Sequence, residues 1–210
     1  MQRSARGAPA YKRAATLWRG DGVRVVTLEY KPKPQGSIES SIGMSFFPPP
    51  LAAALGAGGL VPFLALSAPV QSVLPFDTLL KPLRKLMGRP SLKATELQVT
   101  YGCCIMSFLG APHWGWALSS AAAPAGVTAF RLIWGVTPAL IAWPLASTPA
   151  PASLDALSAG LGLAYAVDAA AWVTRQTPRC YLALRTPLTL VAILSLQSNR
   201  EKFTRKDSES

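Results

Sequence analysis

The 210 residues suffice for one ordinary domain, and only 15% of them are charged where soluble proteins average about 25%. Half are apolar and the mean hydropathy is +0.27, yet Lys and Arg number 21 against 10 Asp and Glu, giving a sequence pI near 10.1. A soluble nucleic-acid binder spreads such an excess over a well-charged surface. Here the basic residues gather at the ends of apolar runs, which excludes nucleic acid as the partner and indicates a lipid bilayer.

Residues 1–30 read as an organellar targeting segment. Met1 to Gly20 holds Arg3, Arg6, Lys12, Arg13 and Arg19, with no acid before Asp21 and with small or hydroxylated residues between. The apolar run of about 7 to 15 residues that a secretory signal needs is missing from the first forty positions. Mitochondrial import is therefore expected, with a plastid the other address that shares this composition, and a basic tail bound to anionic lipid has the same appearance. Val23 to Tyr30 is a candidate short strand. Residues 31–50, which end in Pro48, Pro49 and Pro50, read as a Pro-rich linker.

Residues 51–198 hold the apolar blocks. Leu51 to Phe76 is 26 residues without a charge, long enough at about 1.5 Å per residue to cross a hydrocarbon core about 30 Å thick. A basic loop follows, with Lys81, Arg84, Lys85, Arg89 and Lys93, in which Pro82 and Pro90 should prevent a continuous helix. Leu97 to Phe130 is 34 residues without a formal charge, broken at Pro124 to Gly126, so a second span is placed at 97–120. A third runs over 128–146 and stops at Ser147, Thr148, Pro149 and Pro151. The fourth, 154–174, includes Asp168, and the fifth, 180–198, includes Arg185. Residues 199–210 form a charged polar tail. Between Leu97 and Thr174 the only charged residues are Arg131, Asp155 and Asp168, so these helices lack the water-facing side that a soluble amphipathic helix needs. The fold class expected is all-α, a polytopic membrane protein with about five transmembrane helices.

Five spans place the termini on opposite faces. One face then carries Lys81, Arg84, Lys85, Arg89, Lys93, Arg200, Lys202, Arg205 and Lys206; the other carries Arg131, Arg175, Arg179 and Arg185, with Lys31 and Lys33 if cleavage falls near residue 30. That balance favours a tail on the matrix side, and retention of the first thirty residues reverses it.

Four ionisable groups in the spans share a depth. His113 and Asp168 lie about six residues before the ends of spans two and four, while Arg131 and Arg185 lie near the beginnings of spans three and five, so all fall roughly 5 to 10 Å below one surface. Burying a lone carboxylate or guanidinium in a bilayer is costly, and a short connection between spans four and five would set Asp168 beside Arg185 and neutralise both. Two readings are open. The ion pair holds the helices in register, or His113, Arg131, Asp168 and Arg185 line a polar pocket for a proton, an anion or a headgroup, with His113 able to change charge near neutral pH. Ser107, Gly110 and His113/Trp114 share a helical face on which small residues admit a close neighbour, and Pro112 should kink span two just before His113.

Tyr101 to Gly115, Val136-Thr-Pro-Ala-Leu-Ile-Ala-Trp143, Leu184-Arg-Thr-Pro-Leu-Thr189 and Gly58-Gly-Leu-Val-Pro-Phe63 resemble the transmembrane protein 69 family of small integral membrane proteins. The resemblance covers roughly 55–196 and is most specific at Ser107-Phe-Leu-Gly110 followed by His113-Trp-Gly115. It implies a polytopic, mitochondrial membrane protein with no established substrate, in which Asp168 and Arg185 match polar positions of the last two spans. The sequence departs from the family pattern at Pro112, where an aliphatic residue is expected.

Enzyme templates fail. His113 is the single histidine and has no adjacent nucleophile, Gly56, Gly58 and Gly59 sit in an apolar run rather than a phosphate-binding loop, and Cys103, Cys104 and Cys180 have no zinc-binding spacing. No catalytic residue, metal or cofactor is expected. The function expected is a scaffold or assembly factor of the mitochondrial inner membrane, contacting other inner-membrane subunits or a second copy of itself. The alternative is a small proton-coupled transporter or channel that uses the buried polar layer. The absence of an evident inverted repeat favours the scaffold.

Overall fold

The computed structural model describes residues 13–19, 22–28, 46–119 and 123–208, and the chain divides into two units, Met1–Ser41 and Ile42–Ser210. In the first, β1 (Arg13–Arg19) pairs antiparallel with β2 (Gly22–Leu28), Arg19 opposite Gly22 and Arg13 opposite Leu28. The strand expected over Val23 to Tyr30 thus lies at Gly22–Leu28, and its partner falls within the expected targeting segment. The remainder of residues 1–30, and 31–45 of the linker, lie outside the described residues.

The second unit is helical among its described residues: α1 (Pro50–Ala65), α2 (Ala68–Val73), α3 (Phe76–Leu86), α4 (Ala94–Phe108), α5 (Ala111–Ser119), α6 (Ala125–Leu145), α7 (Ala150–Val173) and α8 (Arg179–Ser208). Proline opens several of them. Pro50 and Pro151 sit in the first turns of α1 and α7, and Pro124 directly precedes α6, positions where the missing N–H has no helical partner to lose and the fixed φ suits the turn.

Among the described residues three helices, Ala125–Leu145, Ala150–Val173 and Arg179–Arg205 within α8, are long and apolar enough to cross a membrane. They correspond to the third, fourth and fifth expected spans. The first and second are each made of two helices. Around Leu66 and Ser67 the chain leaves the helix, because Pro69 has no N–H to continue the ladder onto Ala65 and the Ser67 N–H turns back to the Leu64 carbonyl at 3.1 Å. In span two the interruption falls at Leu109 and Gly110, where Pro112 cannot donate to Phe108, so the bend expected before His113 is a full break between α4 and α5.

Two further expectations are corrected. The basic loop is largely the amphipathic helix α3, which holds Pro82 in its interior and sets Leu79, Leu80, Leu83 and Leu86 against Lys81, Arg84 and Lys85. Gly88 ends it at φ +62°, while Arg89 N–H returns to the Arg84 carbonyl at 3.0 Å, a left-handed cap that glycine forms without strain. The charged tail is helical as far as Ser208, for nothing between Leu188 and Ser208 interrupts a helix, and Arg200 ties it to Asp155 of α7 at 2.8 Å.

The core is apolar and sits where α1, α4, α6, α7 and α8 meet: Phe63, Val99, Cys103, Met106, Ala142, Leu154, Leu157, Leu161, Ala192 and Leu196. The α7–α8 pair forms the most extensive helix interface of this unit. The outward surface is apolar as well. Phe130, Ile133, Val136, Leu140 and Trp143 recur every three or four residues along the exposed side of α6, and Trp143 is 78% exposed. A helix apolar on its outward face is unstable in water and stable in hydrocarbon. The second unit is therefore that of an integral, multi-pass membrane protein.

Candidate functional site

Asp168 lies five residues before the end of α7 and Arg185 six residues after the start of α8, so an antiparallel connection brings them to the same level. The connection is short. Arg175 turns the chain at φ 56°, and the Gln176 N–H bonds the Ala171 carbonyl at 2.8 Å, closing the end of α7. The Trp172 indole N–H donates to the Arg179 carbonyl at 3.1 Å and holds the start of α8 against it.

The result is a closed cluster around one carboxylate. Arg185 Nε donates to Asp168 Oδ2 at 2.7 Å, His113 Nε2 meets Oδ1 at 3.0 Å, and the Tyr181 hydroxyl donates to Oδ2 at 3.3 Å. The side chains of His113, Asp168 and Arg185 are 1%, 2% and 9% exposed, so the charges exchange little with the surroundings. Edge-to-face rings extend the cluster, with Trp116 lying 5.1 Å from His113 and 4.9 Å from Tyr181. With a hydrogen on Nε2, His113 donates to the carboxylate. Its Nδ1 is buried and meets no partner among the described residues, a condition milder for a lone pair than for an N–H.

Of the four ionisable residues expected to share a layer, the structure brings His113, Asp168 and Arg185 into contact. Arg131 bonds elsewhere. Its guanidinium donates to the Trp116 carbonyl at 3.4 Å and to the Gln176 carbonyl at 3.0 Å, and so fastens the start of α6 to α5 and to the α7–α8 turn. The expected packing face also divides. A Cβ on Gly110 would fall on the Gly135 carbonyl of α6, and Trp114 lies over Gly135 with its indole N–H donating to Leu132 O at 2.9 Å. Ser107 instead bonds within its own helix, to Cys103 O at 2.8 Å. The three cysteines are free thiols, two buried and Cys104 exposed. Among the described residues no three His, Cys, Asp or Glu side chains are grouped to hold a metal ion.

A second buried polar group was not legible from charges. The break between α1 and α2 frees the carbonyls of Phe63 and Leu66, and neutral side chains from α4, α2 and α8 take them up. Ser195 Oγ and Gln98 Nε2 both donate to Phe63 O; Gln71 Nε2 and Asn199 Nδ2 donate to Leu66 O at 2.6 and 2.7 Å. Asn199 Nδ2 also donates to Gln98 Oε1 at 2.7 Å, and Gln98 Nε2 to Ser195 Oγ at 2.8 Å. Gln98 and Asn199 have no exposed surface. The sequence signal was available: Gln98 is an amide inside a charge-free run, and Ser195 and Asn199 stand one helical turn apart. Gln98→Leu is expected to lower stability by about 1 to 3 kcal/mol through the unsatisfied Asn199 amide. Thermal unfolding in mild detergent measures it, and an unchanged midpoint would show that the network is not required.

Residues 48–199 match the family described as "Protein of unknown function (DUF3429)". The chain is also 35% identical over 145 residues to "Transmembrane protein 69" of Xenopus tropicalis, an alignment covering 68% of this chain and 50% of that protein. It thus spans about half the length of the curated relative it matches. No solved structure matches. With the family match covering most of the chain, its broken first two spans and the Asp168 cluster included, this protein belongs to the DUF3429 family and has Transmembrane protein 69 among its relatives.

Proposed function

We propose that the protein is a scaffold or assembly factor of the mitochondrial inner membrane. The observation that supports this best is the closure of the Asp168 cluster. Both carboxylate oxygens are occupied by side chains of α5 and α8, while His113 has a single hydrogen-bond partner among the described residues. A proton relay passes its proton between two partners. A cluster with one connection serves instead to hold three helices in register, which leaves the exposed apolar surface, the α6 stripe above all, for lipid and for neighbouring subunits. The acid-free, basic run from Met1 to Gly20 supports the mitochondrial address.

His113→Gln separates this reading from a proton-coupled carrier. Glutamine keeps an N–H for Asp168 and removes the titration, so the variant is expected to keep wild-type abundance and wild-type association with partners. A variant that folds normally yet loses its function in cells would instead favour the carrier. Affinity purification of the tagged protein from mitochondrial membranes in mild detergent, followed by mass spectrometry, is expected to recover a stoichiometric complex with inner-membrane subunits. Recovery of the protein alone would sink the scaffold reading.

A further inference from the structure

The helix α3 has three sides with different surroundings. Leu80 is buried, and Phe76 and Leu83 are half-buried beside it. Leu79 and Leu86, at the outer edge of the same apolar side, are 55% and 84% exposed. Lys81 and Lys85 stand on the opposite side, one turn apart, and both are exposed.

Two side chains fix this helix at the charged end of the bundle. Lys202 Nζ donates to Gln71 Oε1 at 3.2 Å and ties α2 to α8 beyond Ser198, where the charged residues of α8 begin. Arg84 Nε donates to the Leu92 carbonyl at 2.9 Å and ties α3 to the turn before α4. At that level acyl chains give way to headgroups, and an amphipathic helix lies along the interface with its leucines towards hydrocarbon and its cations towards water.

The cations around α3 are unequally occupied. Arg84 pairs with Asp77, the acid of this helix, at 2.8 Å, and Arg89 meets Glu96 at 3.3 Å. Lys81 and Lys85 have no acceptor among the described residues. Like charges four positions apart on a helix repel, so an anion between them removes an unfavourable contact. With Arg84, Gly88 and Pro90 the two lysines surround a shallow depression of about 440 Å³.

We infer that α3 binds an anionic phospholipid of the surrounding bilayer, its phosphate seated between Lys81 and Lys85 and its acyl chains beside Leu79 and Leu86. Net charge selects the occupant. A zwitterionic lipid carries its own cation next to the phosphate and offers the two ammonium groups less, whereas each lysine near an anionic membrane surface strengthens association roughly fivefold. A soluble phosphate would meet the lysines and leave the exposed leucines without a partner. The inference does not rest on the scaffold reading, since the helix and both lysines belong to one chain and need no partner subunit.

Photolabelling of the full chain in phosphatidylcholine vesicles tests it. Phosphatidylglycerol and phosphatidylcholine carrying the same diazirine near the head of one acyl chain are added separately at trace level, and the labelled peptides are identified by mass spectrometry. Phosphatidylglycerol is expected to label residues 76–90 about tenfold more strongly than phosphatidylcholine, and to be competed by its unlabelled form. Lys81→Gln, Lys85→Gln should bring that labelling down to the phosphatidylcholine level, while Lys81→Arg, Lys85→Arg, which keeps both charges, should retain it. The lysines are exposed and unpaired, so unchanged thermal unfolding in mild detergent shows that these variants are folded. Arg205→Gln, Lys206→Gln removes the same two charges from the tail and should leave the labelling of residues 76–90 as it was. Equal labelling by the two lipids overturns the inference, because that is ordinary bilayer contact. A loss as large from the tail variant as from the lysine variant also overturns it, since the attraction then belongs to the whole basic face. Competition by soluble glycerol 3-phosphate as strong as by phosphatidylglycerol does so too, for the ligand is then no lipid.

Discussion

Asp168→Asn is expected to cost about 3 to 5 kcal/mol, the range found when one member of a buried ion pair is removed and the other is left uncompensated. The side chain keeps its shape and can still accept a hydrogen bond, so the loss comes from the Arg185 guanidinium, 9% exposed and without a counter-charge. In the membrane a cation stranded at that level cannot lose its proton readily and has no water shell to fall back on. Heating the protein in mild detergent while following its helical signal, with size-exclusion recovery as a second readout, measures the effect. The decisive comparison is the double variant Asp168→Asn, Arg185→Gln. Removing both charges should recover most of the loss, whereas a double variant as unstable as the single one would show that the hydrogen-bond geometry, rather than the charge, holds α7 to α8.

Gly110→Ala and Gly135→Ala are the next most damaging changes, for two different reasons. At Gly110 an added methyl meets the Gly135 carbonyl oxygen, backbone against backbone, and α6 must move away from the α4–α5 break. At Gly135 the methyl meets the Trp114 indole, a side chain held by its own hydrogen bond to Leu132 O. Each is expected to cost about 3 kcal/mol, the upper part of the usual range for overpacking. Trp114→Ala should relieve Gly135→Ala and leave Gly110→Ala unrelieved. Melting curves of the three single variants and of the two double variants with Trp114→Ala check this; equal losses of Gly135→Ala with and without Trp114 would place the cost within α6 itself. Close approach of backbones through small residues is how membrane helices gain contact when the hydrophobic effect between them is absent.

Some expectations followed from composition, others from position. Charge-free length was enough to place α6, α7 and α8, because the bilayer demands about twenty apolar residues per span. Depth was enough to set Asp168 near Arg185, because antiparallel neighbours with a short turn must match levels. The same depth argument included Arg131 and went too far: a shared layer says nothing about direction around the helix, and Arg131 turns to the carbonyls of Trp116 and Gln176. Counting formal charges hid Gln98 and Asn199 altogether, since a neutral amide does not interrupt a hydropathy run.

By itself the sequence determined that this protein is a multi-pass helical membrane protein of its family, where its three long spans lie, and that Asp168 and Arg185 must meet. Those results depend on local composition and on the fixed rise of a helix, which need no knowledge of neighbours. Only the tertiary structure decided that the first two spans are broken, that the carbonyls freed in the first are answered by Ser195, Gln98, Gln71 and Asn199, and that Arg185 retains a donor with no acceptor among the described residues. A helix break inside the bundle is stable only if side chains distant in sequence reach the exposed backbone groups, and Gln98 and Ser195 stand 97 residues apart.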